Sequence, residues 1–364
     1  MGTFLIEQKS PAAPTEAIPS PQRWVALDAL RGVAALWVAW YHFYRFTTLP
    51  GLLDRPDGID WFLLHGYLGV EIFFVLSGVV ISLSVMGAKI TWPYTLSFAI
   101  RRSIRLDPPY WAILALACLL RALTGDPVPL PSALAHVAYL QNILGFPNVV
   151  QQFWTLCYEV QFYLVLICFI ALAQKAGKVV GWLAALLPLA ISLYLYAYWW
   201  PPTGWFIDYW YAFALGVATT GMLRKRINPA VWALATGFVL VAGFERDRIE
   251  MMTVAVTVMV IGMTGLAGKL PVWSGGVVFR YLGRVSYSFY LVHFLGTYIA
   301  RILAARADSA FEGILVFIAA TLIALGFAEI LHRLVEAPAH ALSRRFGRSI
   351  ASRLTRSAEP VPSL

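Results

Sequence analysis

The chain has 364 residues, of which 60% are hydrophobic and only 13% are charged. A soluble globular protein carries about 25% charged residues, so the composition excludes an ordinary soluble domain and predicts a polytopic membrane protein. The formal net charge of +9 does not indicate a nucleic-acid partner, because membrane proteins collect Lys and Arg in their cytoplasmic loops.

The chain begins with a polar stretch, residues 1–22, that is rich in Pro, Ala and Ser. It lacks the basic region and apolar core of a signal peptide, and we expect a disordered cytoplasmic tail. The integral membrane part is expected over residues 23–340, and a basic cytoplasmic tail over 341–364. The sequence predicts an all-α bundle of ten transmembrane helices, at 24–46, 68–86, 109–124, 153–174, 179–200, 205–223, 229–244, 249–268, 284–305 and 311–335.

The loops between these segments alternate in charge. The loop after the first segment is net negative, with Asp54, Asp57 and Asp60 against Arg55, whereas the loop after the second segment is strongly basic. A similar alternation continues along the chain. Since cytoplasmic loops carry an excess of Lys and Arg, both termini are predicted to be cytoplasmic.

Two loop segments are predicted to contain short helices. Residues 91–105 have an apolar face and several arginines, which fits an amphipathic helix on the cytoplasmic surface. Pro108 and Pro109 are expected to begin the third span, because proline suits the first turn of a helix. Residues 132–144 predict a short amphipathic helix on the outer side.

The first membrane segment carries several ionisable residues, namely Asp28, Arg31, His42 and Arg45. Arg31 and His42 are eleven residues apart. That separation is about three helical turns and about 16 Å along the axis, so both side chains share one face. Ionisable groups inside a membrane usually face a bundle interior or a water-filled cavity. This face therefore predicts a functional path.

Three arginines, Arg101, Arg102 and Arg105, precede the third span. They could anchor the chain at the anionic inner leaflet, where each cation contributes about 1 kcal/mol. They could instead form a phosphate clamp together with Arg31, because arginine binds phosphate through a bidentate fork. Both interpretations stay open on these residues alone.

Glu159 lies near the start of the fourth span, which is predicted to enter from the outer side. His42 lies near the outer end of the first span, so the two side chains are predicted at similar depth. A carboxylate beside His42 would orient the imidazole for general-base catalysis. The alternative is that Glu159 makes a purely structural pair, because an unpaired acid in the membrane is costly.

Other spans carry further polar candidates. Ser286, Tyr290 and His293 share one face of the ninth span, and His293 is either a hydrogen-bonded core residue or part of a site. Glu71 is another acid inside the membrane, and Glu336 indicates a salt bridge where the tenth span ends. The six histidines show no metal-ligand spacing, so no metal site is predicted.

Six short motifs occur in order along residues 24–340. They are Arg31-x10-His42, FFVLSG (73–78), RRSIRLDPPYW (101–111), FWTLCYE (153–159), SYSFYLVH (286–293) and LVEAPA (334–339). In this order the chain resembles the membrane-bound acyltransferase family 3. Those proteins are bacterial O-acyltransferases of cell-surface glycans, lipopolysaccharide O-antigens, exopolysaccharides, Nod factors and peptidoglycan.

The resemblance implies a helix bundle and a cytoplasmic donor, acetyl-CoA or another acyl-CoA. It implies that Arg31 and His42 are essential for transfer. It assigns donor binding to the RRxxR segment, although Asp107 departs from the usual form of that segment. The family's functional positions correspond here to Arg31 and His42, to Arg101, Arg102 and Arg105, and to Trp154, Thr155, Leu156 and Glu159.

These features together predict an enzyme of the bacterial cytoplasmic membrane that acylates a hydroxyl of a glycan or lipid-linked sugar. His42 would act as general base or as acyl carrier. Some family members carry a fused extracytoplasmic domain, which is not evident here, so transfer is expected to be direct or to use a partner protein. Membrane lipids and a second copy of the chain are further expected partners.

Two rival classes stay open. In a transporter or flippase of a glycan precursor, Arg31, Glu159 and His42 would form a polar pathway without bond making. A non-catalytic scaffold has little use for charges inside the membrane. Transfer of labelled acetyl groups would distinguish the enzyme from both.

Overall fold

The computed structural model describes residues 24–45, 47, 49, 57–198, 202–270 and 276–356. The tail predicted over residues 1–22 lies outside these residues, as does the end of the tail predicted over 341–364. The described chain is helical and contains no strand, which confirms the all-α prediction.

The helices follow one another in a single series. They are α1 Val25–Arg45, α2 Asp57–Leu64, α3 Gly69–Val85, α4 Trp92–Leu123, α5 Leu130–Val137, α6 Phe153–Ala176, α7 Lys178–Ala197, α8 Trp210–Leu223, α9 Pro229–Glu245, α10 Ile249–Leu266, α11 Gly276–Ala304, α12 Ala310–Leu331 and α13 Ala337–Arg356. Short 3-10 turns precede α3 and α8, and a π-helical turn, His332–Glu336, joins α12 to α13.

Six helical stretches of the described chain are long and apolar enough to cross a membrane: Gly66–Val85, Trp92–Leu123, Phe153–Ala176, Val179–Ala197, Ile249–Leu266 and Ala310–Gly347. The chain is therefore a multi-pass membrane protein. The other predicted spans correspond to α1, α8, α9 and α11. Of these, α8 has 14 residues and α9 has 17, fewer than the usual length of about 20. The number ten and the side of the termini stay predictions.

The structure corrects the break that was predicted before the third span. α4 is one continuous helix, so the surface helix over 91–105 and the span expected to begin at Pro108 are a single element. Proline inside a helix removes a backbone hydrogen bond, but membrane helices tolerate it where neighbours supply partners. The two carbonyls that lose their helical donors are those of Ile104 and Arg105, and at the next residue the Tyr287 hydroxyl ties α4 to α11 by donating to the Leu106 carbonyl at 2.7 Å. Tertiary packing thus overrides the local signal of Pro108 and Pro109.

The short helix predicted over residues 132–144 ends earlier in the structure. α5 ends at Val137, and Tyr139 adopts a left-handed conformation with φ of 58°, which a helix seldom continues through. The Nδ1 atom of His136 lies 2.7 Å from the Ser132 carbonyl oxygen, and its Nε2 accepts the Val149 N–H at 3.0 Å. The loop after α5 is therefore tied back to that helix.

α1 packs on α11 with direct backbone contact. A Cβ atom added to Gly32 would lie 2.6 Å from the backbone nitrogen of Gly283, and one added to Gly283 would lie 2.5 Å from the Asp28 carbonyl oxygen. Small residues let membrane helices approach this closely. The contact aligns the two helices, and farther along the pair His42 of α1 meets His293 of α11.

α13 packs along α4, where the Ser343 hydroxyl donates to the Arg101 carbonyl at 2.8 Å. The boundary predicted between residues 340 and 341 falls inside α13. Trp24 and Arg344 line the same cavity. Side chains from near both ends of the described chain therefore lie at one end of the bundle, which we call the arginine end.

Candidate active site

A cavity of about 560 Å³ lies at the arginine end, between α1, α3, α4, α11 and α13. Arg31, Arg105 and Arg344 bring cationic side chains to its wall. A fourth arginine in the wall, Arg284, is paired with Glu329 at 3.0 Å. The wall therefore suits a ligand that carries several negative charges.

A smaller chamber of about 40 Å³ lies next to this cavity, toward the middle of the bundle. Arg31 and Tyr287 line both spaces, so they stand where the cavity meets the chamber. The chamber wall also includes Thr155 and Tyr290, whose hydroxyl oxygens lie 2.8 Å apart. Together the two spaces form a route, lined by both polar and apolar side chains, from the arginine end to Tyr290.

A pair of imidazoles lies one helical turn beyond Tyr290. The ring centroids of His42 and His293 are 5.0 Å apart, and the Tyr290 ring lies 5.6 Å from that of His293. The Nδ1 atom of His293 is 2.7 Å from the Tyr290 carbonyl oxygen. Because a carbonyl only accepts, Nδ1 must be the donor, and Nε2 of the neutral ring is an acceptor.

That acceptor atom is unusual. His293 is fully buried, and its Nε2 has no hydrogen-bond partner among the described residues. Buried polar atoms nearly always have a partner, so this lone pair marks a place for a donor, either a neighbouring N–H or a bound hydroxyl. His293, which the sequence left open as a core residue or part of a site, is therefore a candidate member of the site.

Glu159 is not held in the way the sequence suggested. Its carboxylate accepts hydrogen bonds from Ser77 at 2.8 Å, from Tyr163, and from Arg102 at 3.4 Å. Thr155, one turn away on α6, reaches Tyr290, while His293 lies three residues past Tyr290 on α11. Measured along the helix axes, Glu159 therefore lies about 6 Å to one side of the Thr155–Tyr290 contact. His293 lies about 4.5 Å to the other side.

The imidazole beside His42 is consequently that of His293, and the carboxylate of Glu159 belongs to the chamber wall with Arg31. The sequence placed Glu159 and His42 at equal depth by counting from estimated helix ends. An error of one turn at each end is enough to exchange the partner.

The three arginines of α4 separate into different environments. Arg105 lines the large cavity, and its Nε donates to Nε2 of His340 at 3.1 Å. Arg102 is paired with Glu159 and also lies 4.0 Å above the Tyr163 ring. Arg101 donates to the Ser97 hydroxyl at 2.7 Å. Arg105 is thus the member of the trio that faces the cavity together with Arg31.

Glu336 organises the opposite wall of the cavity from the π-helical turn. Its carboxylate is buried and accepts hydrogen bonds from the Ser288 hydroxyl at 2.6 Å and from His332 Nδ1 at 2.9 Å. Nε2 of His340 lies 3.6 Å from its other oxygen. π-Helical turns occur frequently at functional sites. Glu336 is therefore part of the cavity wall and more than a salt bridge at a helix end.

Sequence reasoning missed the contribution of α13. Arg344 was placed in the basic tail, and His332 and His340 were not singled out. A usable signal was present, because His332, Glu336, His340 and Arg344 recur every four residues, a spacing that puts side chains on one helix face.

Three other sequence candidates take separate positions. Ser286 lines the large cavity, and its hydroxyl donates to the Gly283 carbonyl at 3.0 Å. Glu71 is buried on another side of α3, where it accepts from Tyr196 at 3.4 Å and Tyr211 at 3.2 Å. Trp154 lines a groove near the start of α6.

The sequence of this helical membrane protein can be compared with known protein families. A family model described as an acyltransferase domain, that of acyltransferase family 3, matches residues 24–333. The chain belongs to this family. The resemblance inferred from the six motifs is thereby confirmed.

Several relatives of this acyltransferase 3 protein carry names for acetyl transfer. YrhL of Bacillus subtilis, provisionally named a peptidoglycan O-acetyltransferase, is 29% identical over 45% of this chain and 26% of the relative. The peptidoglycan O-acetyltransferase OatA of Listeria monocytogenes is 28% identical over 42% of this chain and 25% of the relative. ORF330 of Acidianus two-tailed virus, provisionally named an acetyltransferase, is 28% identical over 73% of this chain and 81% of the relative.

The aligned part covers only a quarter of the length of YrhL and OatA. No solved structure matches the chain significantly. The family match includes Arg31, His42 and His293, whereas Glu336 and Arg344 lie beyond residue 333 and still line the cavity. The cavity of this acyltransferase 3 protein thus extends past the segment that defines the family.

Proposed function

We propose that this acyltransferase 3 protein is an O-acyltransferase that moves an acyl group, acetyl in the simplest case, from acyl-CoA to a hydroxyl of a cell-surface glycan or lipid-linked sugar. One observation carries the proposal. The arginine-lined cavity meets, at Arg31 and Tyr287, a chamber that is lined by Tyr290, and the Tyr290 ring lies 5.6 Å from that of His293, the partner of His42. A donor and an acceptor entering from opposite ends would meet along this route.

Acyl-CoA suits the large cavity because its phosphates require cations and its nucleotide requires space. Arg31, Arg105 and Arg344 would bind the phosphates through their guanidinium forks. The uncharged pantetheine arm would pass between Arg31 and Tyr287 and carry the thioester toward Tyr290. Arg102 would act indirectly, since its pairing with Glu159 holds the part of α4 that presents Arg105.

His42 is the proposed general base. It takes the proton of the acceptor hydroxyl while that oxygen attacks the carbonyl carbon of the thioester. A C–O bond forms, the C–S bond breaks, and CoA leaves as a thiolate that then receives the proton from His42. In the alternative, His42 first carries the acyl group as a nucleophile. The net reaction is the same, because one C–S bond is broken, one C–O bond is formed and the hydroxyl proton passes to the thiolate.

His293 is proposed to position His42. Its Nε2 lone pair would accept an N–H from His42, which fixes the nitrogen that faces the acceptor hydroxyl and stabilises the imidazolium that forms. The hydrogen bond from His293 Nδ1 to the Tyr290 carbonyl keeps the ring in the tautomer that this role requires.

The arginine end would face the cytoplasm of a bacterial inner membrane, where acyl-CoA is available. Trp24 and Arg344 both lie at that end, as an even number of crossings requires, and ten remains our expectation. Membrane lipids, a second copy of the chain or a separate acceptor-handling protein would be the partners.

The test is transfer by the purified protein in lipid nanodiscs, with isotope-labelled acetyl-CoA and envelope glycans of the source organism. We expect label in base-labile esters on the glycan, and we expect His42→Ala to abolish the transfer while the variant still inserts and elutes like the wild type. Movement of an unmodified glycan precursor across the bilayer without transfer of label would identify a transporter instead.

A further inference from the structure

A surface groove of about 450 Å³ lies between the loop that precedes α6 and the loop that precedes α8. Phe146, Trp154, Tyr158 and Tyr209 bring aromatic rings to it, and Asn142 adds an amide. We propose that this groove binds the sugar ring of the acyl acceptor. The inference rests on the proposed function, because it names where that reaction's second substrate is held.

The residues that line the groove favour a neutral sugar over a phosphate or a lipid tail. Among the described residues the groove is lined by aromatic rings, Asn142, glycine and proline, without a charged or long aliphatic side chain. The membrane-facing surface of α9 differs, with Leu234 75% and Val241 56% exposed. A phosphate would need cations and a lipid tail would suit aliphatic side chains. A neutral sugar instead packs its C–H face on rings and bonds its hydroxyls to amide and phenol groups.

The groove is built rigidly, and Asp208 fixes one side of it. This buried carboxylate accepts hydrogen bonds from the Tyr158 hydroxyl at 2.8 Å, from the Thr203 N–H at 2.7 Å and from the Gly204 N–H at 3.0 Å. The loop that carries Gly204 and the Tyr158 ring are therefore held together before any ligand arrives. A preformed site loses less conformational entropy on binding.

The two loops that form the groove are also joined to each other and to α6. Gly204 has φ of 83°, and a Cβ atom at this position would lie 2.6 Å from the Asn142 carbonyl oxygen, so only glycine permits this approach. The Asn142 side chain donates to the Trp154 carbonyl at 3.0 Å, and Gln161 donates to the Gly204 carbonyl at 2.9 Å. These hydrogen bonds hold the backbone of Trp154 and of Gly204 in place beside the groove.

The location also fits an acceptor site. Phe74 lines the chamber on one side, and its ring centroid lies 6.1 Å from that of Trp154 and 5.0 Å from that of Tyr209 on the groove side. Thr155, the residue after Trp154, lines the chamber. A sugar in the groove would thus be separated from the acyl route by one layer of aromatic rings, and it would lie away from the arginine end.

The test uses the full-length protein in nanodiscs, labelled acetyl-CoA and isolated envelope polysaccharide of the source organism as acceptor. Phe146→Ala and Trp154→Ala remove rings from the groove. The matched control is Trp205→Ala, whose ring is 52% exposed beside Gly204. We expect both groove variants to raise the KM for polysaccharide roughly tenfold, as loss of a stacked ring does, with the KM for acetyl-CoA unchanged. The thermal midpoint of Phe146→Ala should also be unchanged, and the control should match the wild type.

The possible outcomes are distinct. If the wild type transfers label and the groove variants keep the wild-type KM for polysaccharide, the groove is not the acceptor site. The groove is likewise excluded if Phe146→Ala lowers the thermal midpoint and raises both KM values, since the ring is then structural. If the wild type transfers no label to any polysaccharide, the proposed function itself fails, and this result differs from the other two.

Discussion

His42 and His293 come from helices at opposite ends of the sequence, yet their ring centroids lie 5.0 Å apart in the middle of the bundle. His293 is held from behind by the Tyr290 carbonyl, so its unshared lone pair is available to an N–H donor. In the proposed mechanism the second imidazole orients the first without adding a charge to the membrane, which a carboxylate would do.

This relationship predicts different effects for the two histidines. His42→Ala should lower kcat by roughly 100- to 10,000-fold, the contribution of general acid–base catalysis. His293→Gln should lower kcat by a smaller factor and leave the KM for acyl-CoA unchanged, because the proposed donor site lies at the arginine end. Steady-state kinetics with labelled acetyl-CoA measures both values.

His65→Gln is the control, since the His65 ring stacks on Trp61 at 4.3 Å, away from the pair. A wild-type kcat for His293→Gln would show that the buried imidazole is only a packing residue.

Arg344 provides a second prediction. Arg344→Gln should raise the KM for acetyl-CoA by about tenfold or more, because a charge-assisted hydrogen bond contributes about 1.5–3 kcal/mol. The same variant should use acetyl-pantetheine, which has no phosphate, as well as the wild type does. Arg345→Gln is the matched control, because its neighbour Arg344 is the one that lines the cavity. Equal effects of the two substitutions would indicate that α13 binds lipid headgroups instead.

The backbone contact between α1 and α11 predicts a stability difference between two glycines. Gly283→Ala places a methyl group 2.5 Å from the Asp28 carbonyl oxygen, and such overpacking costs about 1–3 kcal/mol. Gly326→Ala in α12 meets nothing within 4 Å and should gain up to about 1 kcal/mol of helix stability. Thermal unfolding in detergent compares them. Equal midpoints would mean that α1 and α11 are not in contact as described.

The pairing of Glu159 with Arg102 predicts that stability can be restored by a second substitution. Glu159→Gln leaves the partly buried guanidinium without its counter-charge and should destabilise the protein by about 1–3 kcal/mol. Adding Arg102→Met removes that charge, so the thermal midpoint should recover. Transfer activity should recover in part, because neither side chain touches the imidazole pair. Recovery of stability with no activity at all would assign Glu159 a direct chemical role.

His136 predicts a pH dependence of the loop before α6. Burial lowers the pKa of His136 below its ordinary value of 6.5, and the neutral ring accepts the Val149 N–H. The folded state therefore binds fewer protons than the unfolded state, so this stabilisation is complete above pH 6.5 and declines as the pH falls below it. The protection factor of the Val149 amide, which corrects its exchange rate for the intrinsic effect of pH, should fall as the pH is lowered from 6.5 to 5. His136→Gln, which cannot be protonated, should lose the dependence.

Apolar length was a sufficient signal for the helices, because a membrane segment must satisfy its backbone internally. Every predicted span overlaps a helix of the structure, even where α4 continues through Pro108 and Pro109. The face shared by Arg31 and His42 was also predictable, since eleven residues of α-helix return to the same side.

Contacts between helices could not be predicted from apolar length and helical spacing. Which carboxylate or imidazole meets His42 depends on the axial offset between α1, α6 and α11, and the sequence determines that offset only to about a turn. The Gly32–Gly283 contact sets it in the folded protein. The role of Arg344 was hidden for a different reason, because a run of arginines after the last span looks like an ordinary basic tail.

The π-helical turn at His332–Glu336 sets the rotation of α13 about its axis relative to α12. One residue turns an α-helix by about 100°, and a π turn accommodates such an extra residue. Deleting one residue from this turn would rotate α13 by about that angle and carry Arg344 off the cavity wall, while leaving the other five apolar spans unchanged. The charge lining the large cavity at the arginine end thus depends on helical register across a single turn.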